Sequence, residues 1–76
     1  MNERVKTVEY EFIEFKVGQR WKSSMGNIFI IKDIREDDDY PLVCVNMNTG
    51  RKCFFDEDGY EVAGYPTDND LVEYIS

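Results

Sequence analysis

Glu36, Asp37, Asp38 and Asp39 stand in an unbroken row between the apolar runs "IFIIKDI" and "PLVCV". Asp56, Glu57, Asp58 and Glu61 follow, then Asp68, Asp70 and Glu73, so residues 36–76 carry eleven carboxylates. Carboxylates in this number could act as paired general acid and base, bind a hard cation, or present a phosphate-like charge. Acid–base work needs a nucleophile with a base, or a carboxylate pair held in a cleft. The chain has no histidine, so Ser23, Ser24, Cys44 and Cys53 lack an imidazole partner, and carboxylates in turns keep ordinary acidity. No catalytic activity is expected. A calcium loop places oxygen ligands at alternate positions with Gly at six and Glu at twelve. Neither "DIREDDD" nor "DEDGYEVAGYPTDND" fits, and "DEDG" has its glycine fourth. A zinc site would need four thiolates here and finds two, so no metal or other cofactor is expected.

The charge is distributed unevenly. Residues 1–35 hold seven basic and five acidic side chains, a balance of +2, whereas residues 36–76 hold two basic and eleven acidic, a balance of -9. Such a surface repels phosphate, which disfavours direct binding to nucleic acid or an anionic membrane and favours a basic partner. Trp21, between Arg20 and Lys22, has the setting of a base-stacking platform, although a lone Trp in a small domain is more often core. No apolar stretch reaches signal-peptide or membrane-span length, the longest being "IFII", and two cysteines without such a signal are expected as thiols in a cytoplasm.

These groups must be positioned by short strands. Seventy-six residues make one domain with one small core, which eleven aromatics supply, and residues 1–7 read as an N-terminal extension. "VEYEFI" (8–13) alternates as a half-buried strand, while Val5, Val8, Phe12 and Phe15 also match helical spacing. "IFIIKDIR" is a strand, and Pro41 suits the first position of the next, where a missing N–H does least harm. "PLVCVNMNTGRKCFF" is a hairpin. A three-residue "NTG" loop with Gly50 left-handed sets Val45 opposite Cys53 and Val43 opposite Phe55. A loop tightened to Asn48 and Thr49 sets Cys44 opposite Cys53 and Val45 opposite Lys52. The first register keeps apolar residues on one face and is favoured, with both cysteines small buried hydrophobes. "LVEYI" is read as a last strand, the alternative being a helical turn opened by Thr67 or Asp68. The fold class is therefore mainly β with little helix: a small antiparallel barrel or strongly bent sheet of about five short strands.

Either hairpin register has one consequence. The "EDDD" turn enters its first strand and the "DED" turn leaves its second, so the two acidic turns emerge at the same end. Alternate strand residues lie about 6.6–6.8 Å apart, roughly twice the 3.4 Å axial spacing of DNA phosphates on a strand. Clustered carboxylates can imitate the charge of a duplex backbone, though not its residue-by-residue spacing.

At "FKVGQRW", "DDDYPLVCV" and "CFFDEDGYE" the chain resembles a loose group of small phage-encoded SH3-like barrel proteins, over roughly residues 15–62. Its charge is similar to that of small acidic host-takeover proteins of lytic phages, some of which are DNA mimics that occupy the DNA-binding surface of the nucleoid protein HU. The resemblance implies a non-enzymatic protein of the bacterial host cytoplasm that binds a basic HU-like protein and blocks its DNA binding. Glu36, Asp37, Asp38, Asp39, Asp56, Glu57, Asp58, Glu61, Asp68 and Asp70 would stand in for phosphates. The alternative is an adaptor-like or inhibitory module that meets a host machine, such as an AAA+ protease or RNA polymerase, through Tyr40, Tyr60 and Tyr65.

Overall fold

A computed structural model describes residues 5–8 and 11–75, with side chains from residue 14 onward. Seven strands form: β1 (Val5–Val8), β2 (Glu11–Glu14), β3 (Arg20–Lys22), β4 (Ile28–Ile34), β5 (Leu42–Asn46), β6 (Lys52–Phe55) and β7 (Glu73–Tyr74). There is no helix among the described residues, and none long and apolar enough to cross a membrane. Strands β3 to β7 build one five-stranded antiparallel sheet in the order β6-β5-β4-β3-β7. No pairing joins β6 to β7, so the mainly β fold is realised as an open sheet and not as a closed barrel.

At the N-terminal end, the single strand expected over residues 8–13 is instead an antiparallel pair. Val5 faces Glu14, and Val8 faces Glu11. Each four-residue segment thereby satisfies backbone groups that an isolated strand would leave unpaired. Residues 5–7 of the expected extension lie in β1, and residues 1–4 lie outside the described residues.

Period-two alternation places the core on one face of the main sheet. Trp21 of β3, Phe29 and Ile31 of β4, Leu42 and Cys44 of β5 and Phe55 of β6 are fully buried, and Phe15 and Leu71 pack onto them from outside the sheet. Aromatic contacts tie the layers together: Phe15 to Trp21 at 4.7 Å between ring centroids, and Phe29 edge-on to Phe55 at 5.0 Å. A bulge between Ile31 and Asp33 breaks the alternation in β4. With Lys32 as the extra residue, Ile34 pairs with Leu42 and packs against the core, where unbroken alternation would have sent it outward.

The β5–β6 hairpin corrects the favoured register. Leu42 faces Phe55, Cys44 faces Cys53 and Val45 faces Lys52. The loop holds four residues, 47–50, because the side chain of Asn46 organises it. Its Oδ1 accepts hydrogen bonds from the N–H groups of Asn48 (2.8 Å) and Thr49 (3.3 Å), and its carbonyl accepts from Gly50 N at 2.6 Å. Apolar patterning could not discriminate, since β5 is buried on both faces: Val43 on the outer face is 5% exposed, Leu42 on the inner 0%.

Gly59 links the acidic turn after β6 to the core. It holds φ +86°, and a Cβ there would lie 3.1 Å from Phe15 Cζ and 3.3 Å from Leu71 Cβ. Gly59→Ala is therefore expected to cost about 2 kcal/mol, from left-handed strain and crowding together. A lowered urea midpoint at unchanged m would show it, and an unshifted midpoint would refute the close approach.

Candidate protein-binding acidic surface

Two turns meet at the end of the β5–β6 pair marked by Leu42 and Phe55. In the turn before β5, Arg35 N donates to the Pro41 carbonyl at 2.8 Å, and Asp38 Oδ1 accepts from Tyr40 N at 3.0 Å. The Arg35 guanidinium stands 3.7 Å from Asp38 Oδ2, an exposed pair worth at most about 1 kcal/mol. It also lies over the Phe54 ring, 5.8 Å from the centroid. Glu36, Asp37, Asp38 and Asp39 are all exposed. Pro41 is buried and begins the chain's descent into β5.

In the turn after β6, Asp56 serves as an internal acceptor. It is 7% exposed, and its Oδ1 takes the N–H groups of Asp58 (2.9 Å) and Tyr60 (2.8 Å). Gly59 N donates to the Asp56 carbonyl at 3.0 Å. Folded back this way, the turn projects Glu57 and Asp58 outward.

Between the turns lies an open cleft of about 460 Å³, lined by Asp38, Asp39, Tyr40, Asp56, Glu57, Asp58 and Ala63. Tyr40 closes one wall, its hydroxyl accepting a hydrogen bond from Ala63 N at 3.1 Å. Ala63 lines the cleft as well, a placement that no sequence pattern announces.

Glu61, Asp68 and Asp70 do not line the cleft. Asp70 is 2% exposed, and its carboxylate accepts from Glu61 N (2.8 Å), Thr67 N (2.7 Å) and Thr67 Oγ1 (2.9 Å). "TDND" is thus a turn closed on itself, with Asp70 reaching back to the N–H of Thr67 three residues earlier and the Thr67 hydroxyl accepting from Asn69 N at 3.2 Å. That spacing was the sequence signal for a structural role. Glu61 accepts from Asn69 Nδ2 at 3.1 Å, and Asn69 Oδ1 in turn accepts from Asn27 Nδ2 at 3.1 Å. Asp68 is exposed beside this network, its carbonyl accepting from Met25 N at 3.3 Å. Among the ten carboxylates singled out from sequence, then, Asp56 and Asp70 point inward, and the exposed ones divide between the cleft end and the 61–70 segment.

The stacking platform suggested at Trp21 is not present, because the indole is fully buried with its Nε1 donating to Gln19 Oε1 at 2.9 Å. Of the three tyrosines, Tyr65 is 70% exposed, while Tyr40 and Tyr60 are half-buried. Among the described residues, no three Cys, Asp or Glu side chains converge as ligands for a metal ion. No protein-family model, curated protein or solved structure matches the chain.

Proposed function

We propose that this chain is a non-enzymatic, phage-type acidic protein that acts in a bacterial cytoplasm as a DNA mimic. Its cleft end engages the DNA-binding surface of a basic, HU-like nucleoid protein and excludes DNA. The observation that supports this reading is the convergence of Asp38 and Asp39 with Asp56, Glu57 and Asp58 on one cleft, which concentrates negative charge where either turn alone would be a solvated loop. Glu36, Asp37, Asp38, Asp39, Glu57 and Asp58 form the phosphate-like surface, and Glu61 and Asp68 extend its field. Asp56 and Asp70 contribute their charge from within, while their oxygens hold the turns in shape. Clustered surface charge of this kind steers a basic partner and is screened by salt.

Titrating purified HU with the chain at rising salt tests the proposal. Affinity should fall steeply with ionic strength, and labelled duplex DNA should be displaced from HU. Replacing Glu36 and Glu57 by Gln and Asp37 and Asp39 by Asn spares the carboxylates whose turn bonds are described above. The neutralised chain is expected to bind HU at least ~10-fold more weakly, mainly through slower association, with a shallower salt dependence. Unchanged HU binding would end the proposal.

The exposure of Tyr65 favours one second reading, an adaptor-like or inhibitory module that meets an AAA+ protease or RNA polymerase through an aromatic anchor. That association would tolerate salt and be lost in Tyr65→Ala, the reverse of the behaviour expected for the acidic surface.

A further inference from the structure

Cys44 and Cys53 are direct cross-strand partners in β5 and β6. Opposed residues of antiparallel strands lie about 4.5–5.5 Å apart at Cα, inside the range of about 4.4–6.8 Å that disulfides span. Both side chains are on the core face, Cys44 within the core cluster and Cys53 half-buried against it. Both are free thiols, and the Cys53 sulfur donates weakly to the Arg51 carbonyl at 3.8 Å. We propose that this pair is a covalent modification site: on exposure of the folded chain to a low-molecular-weight disulfide, Cys44 and Cys53 close into a cross-strand disulfide that staples β5 to β6.

Accessibility sets the order of events. Cys53, the half-buried thiol, loses its proton to solvent and attacks the reagent disulfide. One reagent sulfur leaves as thiolate and takes up a proton, and Cys53 is left as a mixed disulfide. The Cys44 thiolate then attacks the Cys53 sulfur and expels the second reagent thiol. In total, two protein thiols are oxidised and one reagent disulfide is reduced to two thiols. Burial, with Cys53 beside it, pushes the Cys44 thiol up to about 12. Burial also raises Cys53, so closure is slow at neutral pH and accelerates as pH rises.

The staple would act on the strand pair that carries both acidic turns, since Leu42 and Phe55 lie only two positions from the cysteines. Oxidation would fix the separation of the turns without occupying the cleft.

The test equilibrates the folded chain with reduced and oxidised glutathione at mildly alkaline pH, followed by acid quenching, thiol alkylation and mass spectrometry. The expected product has lost two hydrogens and takes up no alkylating reagent. Trypsin cuts after Arg51 and Lys52, between the cysteines, so the staple is read as a covalent link between the peptides holding Cys44 and Cys53. The effective concentration of the pair should be at least ~10-fold higher in the folded chain than in urea, because the fold holds the sulfurs together. Equal or lower values in the folded chain, or an equilibrium product with glutathione on Cys53 and a thiol at Cys44, would overturn the proposal. In Cys53→Ser, Cys44 should resist glutathione while folded; modification there as fast as wild-type closure would overturn the assigned order of attack.

Discussion

Asp70→Ala is expected to destabilise the chain by about 3–5 kcal/mol, although aspartate is ordinarily a surface residue. The carboxylate is nearly fully buried and accepts three hydrogen bonds, two from backbone N–H groups and one from a hydroxyl. Alanine would take the acceptor away from the N–H groups of Glu61 and Thr67 in a part-buried site and leave a cavity where the carboxylate stood, and each orphaned donor costs about 1–3 kcal/mol. Asp70→Asn keeps the shape but turns an amide N–H₂ toward one of those donors, so roughly half the loss is expected. Urea denaturation should rank the three chains in that order. An alanine variant within about 1 kcal/mol of wild type would mean that the carboxylate behaves as an exposed one.

Trp21→Ala should have an effect of similar size, about 3–5 kcal/mol, by a different route. The indole is fully buried, contacts Phe15 at 4.7 Å and Tyr74 at 5.5 Å between centroids, and binds Gln19 through Nε1. Gln19 is itself a junction, since its Oε1 also takes the Lys16 N–H at 2.9 Å and its Nε2 donates to the Glu14 carbonyl at 2.8 Å. Truncation would open a cavity and loosen the chain's entry into β3. For a domain of this size, whose total stability is about 5–10 kcal/mol, this is about half of the whole. A lowered urea midpoint at unchanged m would report it. Trp21→Phe should keep more of the stability, whereas an alanine variant within about 1 kcal/mol of wild type would contradict the core assignment.

Much of the sheet was legible because apolar runs such as "IFII" are too short for a helix and are bounded by turn residues. Burial then alternates along the run, with Phe29 and Ile31 inward and Ile28 and Ile30 half-buried, and Pro41 marks where β5 begins. The hairpin register was not legible, because alternation carries no information in a strand buried on both faces, as Val43 and Leu42 are. The decisive interaction was a side-chain cap by Asn46 on its own turn. The meeting of the acidic turns nevertheless survives the register correction, since a one-residue slip leaves both turns at the same end. Charge could be counted from sequence but its direction could not. Asp56 and Asp70 look like their neighbours until the backbone donors that claim them are located, although "DEDG" and "TDND" both carry turn-forming spacings that point that way.

The pairing of β3 with β7 sets Trp21 opposite Tyr74, and this has a bearing on the order in which the chain folds. The β4–β5 and β5–β6 pairings are local and available early, but the edge beside β3 is filled by residues 72–75, whose backbone bonds reach Lys22 and Arg20. The central hairpins can form from neighbouring segments, yet the indole lacks its last partner until residue 74 arrives from more than fifty positions away. Closure of this longest-range pairing is then expected to be the slow step of folding.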